Sequence, residues 1–263
     1  MKISKIHLAY YSATYTTRKI VRAVASAWGV EAEEYDLTQS VPVAEWRIGT
    51  DELLIVGMPV FSGRIPPRMP EALKRFRSDG APAVIICVYG NRDYDDALLE
   101  LHDTVSASGF RVVSAGAFVA QHSVFPQVGA ARPDEQDMAA VRDFAARTAR
   151  LLSDAARADQ FQKITVKGNR PYKTPHRVPL RPEASRACNK CGICVKLCPG
   201  QAIPAAQPRV TFGMKCTACG RCIVACPQQA RRFGGLFYGI ARRKFIKAYA
   251  NVRREPETVF PPK

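Results

Sequence analysis

The sequence lacks any uninterrupted apolar stretch of the roughly 18 residues that argue for a membrane-spanning helix. It has no Gly-x-Gly-x-x-Gly fingerprint, which leaves a nicotinamide-binding half unsupported. Its start, Met1-Lys2-Ile3-Ser4-Lys5-Ile6, runs into a short apolar segment with no small-residue cleavage site, so a cytoplasmic location is expected. Acidic residues are scarce in one part of the chain. Residues 157–263 carry 4 acidic against 22 basic groups, whereas residues 1–156 carry 19 acidic and 17 basic, within a total net charge of +16. That asymmetry excludes a uniform surface and points to two domains with different partners. The remaining composition, 47% hydrophobic and 24% charged over 263 residues, is that of a folded globular chain and excludes disorder or a collagen-like repeat.

The first half alternates nearly continuous apolar runs with amphipathic stretches. Residues 3–11, 33–37, 53–58, 83–89 and 111–119 read as buried strands. Residues 16–28, 67–77, 95–108 and 133–156 read as helices, several with Pro, Asp or Ser/Thr start signals. Strands alternating with helices, joined by right-handed crossovers, predict an α/β fold: a doubly wound, five-stranded parallel sheet of order 2-1-3-4-5 over residues 1–156. Residues 157–186 follow as a Pro-rich, basic linker on the surface, and residues 233–263 as a basic tail containing an amphipathic helix.

Eight of the nine cysteines fall between positions 188 and 226. Without an export signal, this density argues for metal ligation and not for a disulfide scaffold. Cys188-x2-Cys191-x2-Cys194-x3-Cys198-Pro199 recurs 28 residues later as Cys216-x2-Cys219-x2-Cys222-x3-Cys226-Pro227. In runs of this form three cysteines hold one [4Fe-4S] cluster and the fourth ligates the other. The expected ligand sets are Cys188, Cys191, Cys194 and Cys226 for one cluster, and Cys216, Cys219, Cys222 and Cys198 for the second. The alternative is a pair of zinc sites, which often use two C-x2-C pairs or His ligands; three cysteines per run with a Cys-Pro ending favour iron–sulfur instead. Residues 187–232 resemble bacterial two-cluster ferredoxins, a small α+β fold whose task is one-electron relay.

Ligands of doubly wound sheets bind beyond the carboxyl ends of the strands at the switch point, where three loops are expected to meet. The first is hydroxyl-rich and enters a helix: Ser12, Thr14, Tyr15, Thr16 and Thr17 are candidates to wrap a terminal phosphate, or alternatively form an N-cap cluster. No P-loop lysine accompanies them, so a monophosphate suits them better than a triphosphate. The second loop contributes Pro59, Val60, Phe61, Gly63 and Arg64, and the third Tyr89, Gly90, Asn91, Arg92 and Tyr94. Phe61, Tyr89 and Tyr94 suit a planar ring, and the Gly and Asn residues suit backbone contacts. Arg64 or Arg92 offers positive charge near it, or is a solvated surface charge. Cys87, in an apolar strand, reads as a small buried hydrophobe, and His122 as a structural histidine near the same edge.

The first loop is similar to the FMN phosphate loop of flavodoxins, Ser/Thr-x-Thr-Gly-x-Thr, except that Tyr15 stands where Gly is usual. Together with the two cysteine runs, residues 167–173 and 253–257, these loops resemble a family of flavodoxin–ferredoxin fusion proteins from anaerobic bacteria. The resemblance implies FMN, two [4Fe-4S] clusters and an electron-transfer role. The basic second half suits an acidic electron-carrier protein as partner, and the tail helix packs on its own chain or lies on anionic lipid. Two other functions are carried alongside: a flavin-dependent reductase of an organic substrate, and a basic redox-sensing or nucleic-acid-binding module. No nucleic-acid signature accompanies the charge, so specific nucleic-acid binding is not expected.

Overall fold

A computed structural model describes residues 1–263 except Pro42, Arg177 and Lys263; the last two belong to the linker and the tail as delimited above. In chain order the elements of the first domain are β1 (Ile6–Tyr10), α1 (Thr16–Ala25), β2 (Ala32–Asp36), β3 (Trp46–Ile48) and β4 (Leu53–Pro59). They continue with α2 (Met69–Leu73), β5 (Phe76–Ser78), β6 (Pro82–Tyr89), α3 (Ala97–Ala107), β7 (Arg111–Val119) and α4 (Glu135–Ser153). The five expected strands pair in parallel in the order β2-β1-β4-β6-β7, the expected 2-1-3-4-5 arrangement, but β2 is a polar, largely exposed edge strand and not the buried apolar run expected over residues 33–37. One face of the sheet packs Ile20, Val21 and Val24 of α1 and Val141, Phe144 and Leu152 of α4. The other packs α2 and α3 through Met69, Leu73, Leu98, Leu101 and Val105. Strand residues alternate between these cores, as side-chain period 2 requires. Cys87 is fully buried in the second core, and burial pushes its thiol pKa up.

Two expectations are corrected. The helix expected over residues 67–77 is the five-residue α2, and Phe76–Ser78 instead pairs in parallel with Trp46–Ile48 in a small second sheet. Phe76 is fully buried, stacked on Trp46 at 5.2 Å, so the aromatic core outweighs helical periodicity there. The main sheet has six strands, not five. The tail returns as β10 (Glu257–Val259), antiparallel to β7, with Thr258 opposite Gly116.

The described residues of 157–180 run along the first domain's surface as a strap. Ile164 and Val166 enter the core beside α3. The basic charge is matched by the acidic rim around α3: Lys167 pairs with Asp93 at 3.0 Å, Arg170 with Asp103 at 2.6 Å and Lys173 with Asp95 at 3.1 Å. The Asp96 carboxylate accepts the backbone N–H groups of Asn169 and Lys173.

The second domain is built from β8 (Glu183–Ala184), α5 (Ile193–Lys196), α6 (Arg221–Val224) and β9 (Arg231–Arg232), with β8 and β9 antiparallel. Helix α7 (Leu236–Tyr249) then packs Tyr238, Ala241, Phe245 and Tyr249 into a core shared by Val124, Phe125 and Val128 of the loop after β7, Leu180 of the strap, and Ala218 and Phe233. This shared core joins the two domains. Among the described residues no helix is long and apolar enough to cross a membrane.

Candidate functional site

The internal repeat of the sequence is a repeat of backbone shape. Gly192 and Gly220, each between the second and third cysteine of its run, both adopt φ 78°, a left-handed turn at the N-cap of α5 and α6 that favours glycine. Gln201 and Gln229, three residues after the last cysteine of each run, adopt φ 48° and 47°. The cysteines ring two cavities. Cys188, Cys191, Cys194 and Cys226 line one; Cys198, Cys216, Cys219 and Cys222 line the other. Among the described residues no three His, Cys, Asp or Glu side chains gather at the spacing of a single bound ion. Backbone donors meet the sulfurs at equivalent places: Ala202 N–H to Cys198 Sγ at 3.2 Å and Ala230 N–H to Cys226 Sγ at 3.3 Å. One buried arginine borders each cavity, Arg231 the first and Arg221 the second, and the Nε of each has no hydrogen-bond partner.

Beyond the carboxyl ends of β1, β4, β6 and β7 lies a cleft of about 630 Å³. Thr14, Thr16 and Thr17 line one end, where the N-cap residue of α1 gives the helix no side-chain hydrogen bond. Pro59, Val60, Phe61 and Arg64 line it from the second loop, and Tyr89 and Gly90 from the third. Gly90 has no room for a side chain, since a Cβ there would lie 2.6 Å from the His122 ring. His122 borders the cleft and its Nδ1 accepts the N–H groups of Val124 and Phe125 at 3.2 and 3.1 Å. Its proton therefore sits on Nε2. Burial, with the Arg92 charge adding to it, pushes the His122 pKa down to about 4, so the ring is neutral near pH 7. The opposite wall is the second domain: residues 214–219, including Cys216 and Cys219.

Several expected contacts lie elsewhere. Asn91 is buried beneath the tail, where its Nδ2 donates to the carbonyls of Tyr249 and Val252 and its Oδ1 accepts from Arg254 N–H. Tyr94 is also buried; its hydroxyl donates to Glu257 of β10 at 2.7 Å. Arg92 pairs with Asp95, and Gly63 lies against that same Asp95 at φ 85°, away from the cleft. Arg64 reaches the cleft with its charge already matched by a two-pronged bond to Glu100 at 2.7 Å. Ser12 serves α1 internally, accepting Arg18 N–H at 3.0 Å. Tyr15 stands outside the cleft lining, and its ring faces Arg221 at 4.3 Å.

Arg221 and Tyr11 escape a reading by loops. Arg221 Nη1 donates to the carbonyls of Ser12 and Ala13 at 3.2 and 3.3 Å, and the buried Tyr11 hydroxyl faces Thr217 and Cys219 of the second domain. A signal for Arg221 does exist in the repeat. Cys191-Gly192-Ile193-Cys194 has an apolar residue where Cys219-Gly220-Arg221-Cys222 has a cation.

Residues 186–202 and 214–232 each match a 4Fe-4S binding domain model. No curated protein sequence matches the chain. Among solved structures, rubredoxin oxygen:oxidoreductase from the anaerobe Desulfovibrio gigas is 16% identical over 58% of this chain, with a TM-score of 0.42, and the match spans 37% of that longer chain. A flavodoxin from Streptococcus pneumoniae is 16% identical over 56% of this chain and 99% of its own, with a TM-score of 0.41. A Fusobacterium nucleatum flavodoxin bound to flavin mononucleotide is 17% identical over 42% of this chain and 70% of its own, with a TM-score of 0.34. The topology rests on the strand order itself, which is that of flavodoxin-like folds. The chain thus joins a doubly wound domain of flavodoxin-like strand order to a segment with two 4Fe-4S binding motifs.

Proposed function

We propose that the protein is an electron-transfer iron–sulfur flavoprotein. In this reading FMN lies in the cleft, one [4Fe-4S] cluster is held by Cys198, Cys216, Cys219 and Cys222, and another by Cys188, Cys191, Cys194 and Cys226. The observation that carries it is the shared wall: the loop bearing Cys216 and Cys219 lines the same cleft as Thr14, Thr16, Thr17, Phe61 and Tyr89. The donor sets fit the groups. Four thiols surround each cavity, and the unpartnered Nε groups of Arg221 and Arg231 border sites where cluster sulfides would be acceptors. The threonine hydroxyls and the start of α1 offer donors and a positive dipole end to a phosphate.

When bound, FMN exchanges electrons singly or in pairs, and [4Fe-4S] clusters exchange them singly. The second set of cysteines lies on the cleft side, since Cys216 and Cys219 line the cleft wall. Cys191 is exposed, which makes the outer cluster the point of entry or exit for an external carrier. The basic second half attracts an acidic carrier, with an encounter rate that falls as salt rises. Protein purified without oxygen should hold about eight iron, eight sulfide and one FMN per chain. Full iron with no flavin would leave a ferredoxin carrying an empty docking domain and refute this function.

His122 favours a second reading, a flavin-dependent reductase of an organic substrate, because its fixed Nε2–H gives the cleft a donor for a substrate oxygen. Oxidation of the reduced protein that saturates with a small organic acceptor would support it, and a strictly linear dependence would count against it.

A further inference from the structure

The backbone at Tyr15 is held in a conformation that its own side chain does not explain. Tyr15 adopts φ 65° and ψ −7° at the N-cap of α1, a left-handed geometry that disfavours residues with a Cβ. The ring is 45% exposed, so its burial does not impose the shape. What meets it comes from the other domain. The Arg221 guanidinium covers the ring at 4.3 Å and donates through Nη1 to the carbonyls of Ser12 and Ala13, which precede the turn.

Arg221 is itself only 6% exposed and sits between Gly220 and Cys222, bordering the cavity ringed by the second set of cysteines. Its repeat partner Ile193 is 37% exposed. Gly220 lies close against the first loop as well, since a Cβ there would stand 3.6 Å from Thr14 Cγ2 and 3.5 Å from Ser123 Cβ. The loop that would wrap a cluster and the loop that would wrap a phosphate are therefore in contact, with one buried cation shared between them.

We infer that Arg221 is a positioning residue that couples the two cofactor sites, holding residues 12–15 in their phosphate-binding shape while the second cluster keeps its own loop folded. This rests on the function proposed above. Cluster occupancy then sets the affinity for FMN. By linkage, bound FMN raises the affinity for the second cluster by the same factor. The tyrosine in place of the usual glycine makes the loop depend on its neighbour, because glycine would adopt the turn unaided.

The test is a titration of FMN fluorescence quenching on full-length protein under anaerobic conditions, with iron content measured on each sample. R221Q with full iron should bind FMN about tenfold more weakly, within the usual range of coupling between sites. Y15G should retain the parent affinity, and R221Q/Y15G should recover most of the loss. R221K tests the same point should R221Q lose iron, since a lysine keeps the charge but cannot both stack and fork, and it too should bind more weakly. Saturating FMN should slow chelator-driven bleaching of the cluster absorbance in the parent and not in R221K. Parent-like affinity in both Arg221 variants overturns the inference. An equal loss in R221Q and R221Q/Y15G also overturns it, because Arg221 would then act through charge alone. A parent chain that holds full iron and takes up no FMN refutes the flavin reading itself and removes the basis of the coupling.

Discussion

Replacing Cys198 with alanine is expected to empty the second cluster and leave the first, although Cys198 belongs to the first cysteine run. Iron should fall from about eight to about four per chain. Exchange of electrons with the flavin cleft should stop, because the cysteines that reach its wall, Cys216 and Cys219, belong to the emptied set. Cys226→Ala should have the complementary effect. It removes the outer cluster, retains the inner one beside the cleft, and slows only reduction by an external carrier. The crossed pattern follows from the geometry, in which each cavity takes three cysteines from one run and one from the other. Iron and sulfide content, with the spectrum of the remaining cluster, read the result. Loss of the first cluster from Cys198→Ala would contradict the ligand sets proposed here.

The largest effect on stability is expected at Asn91. Its side chain holds the tail through the carbonyls of Tyr249 and Val252 at 3.1 and 2.6 Å and the N–H of Arg254 at 3.1 Å. Alanine removes these partners at once from a residue only 1% exposed. Each buried polar group left unpaired costs about 1–3 kcal/mol, so a total loss of about 3 kcal/mol or more is expected. Strand β10 then loses its anchor, and the Tyr94–Glu257 bond with it. Amide exchange should accelerate at Glu257–Val259 and in the β7 segment that they cover. Unchanged protection there would show that β10 docks independently of Asn91.

The same residue shows why part of the site was hidden from the sequence. Four of the sheet strands, β1, β4, β6 and β7, were legible because each is an apolar run buried on both faces, and their order followed from the alternation with helices; β2, expected to be buried as well, is a polar and largely exposed edge strand. Glu257–Val259 is three residues long and two of them are polar, so nothing in it marked a sixth strand. Without that strand, Asn91 and Tyr94 read as part of the cleft, whereas the returning tail covers both. Loop residues immediately after the strands, Thr14, Thr16, Thr17, Phe61, Arg64, Tyr89 and Gly90, do reach the cleft, because topology alone delivers strand ends there. The cysteine spacing was legible for a similar reason: it is local, and repeated. Arg221 was not, since its contacts lie more than 200 positions away in sequence. The basic strap was legible as charge but not as structure, for its partners are the acids around α3.

In the function proposed above, electrons pass between cluster and flavin within one chain, across the wall formed by residues 214–219. Rapid mixing of the anaerobic holoprotein with a one-electron reductant, followed at the cluster and flavin absorbance bands, tests it most directly. The expected result is a phase of redistribution between the two bands whose rate is independent of protein concentration. A rate proportional to protein concentration, or clusters that stay reduced beside oxidised flavin that free reductant readily reduces, would contradict it.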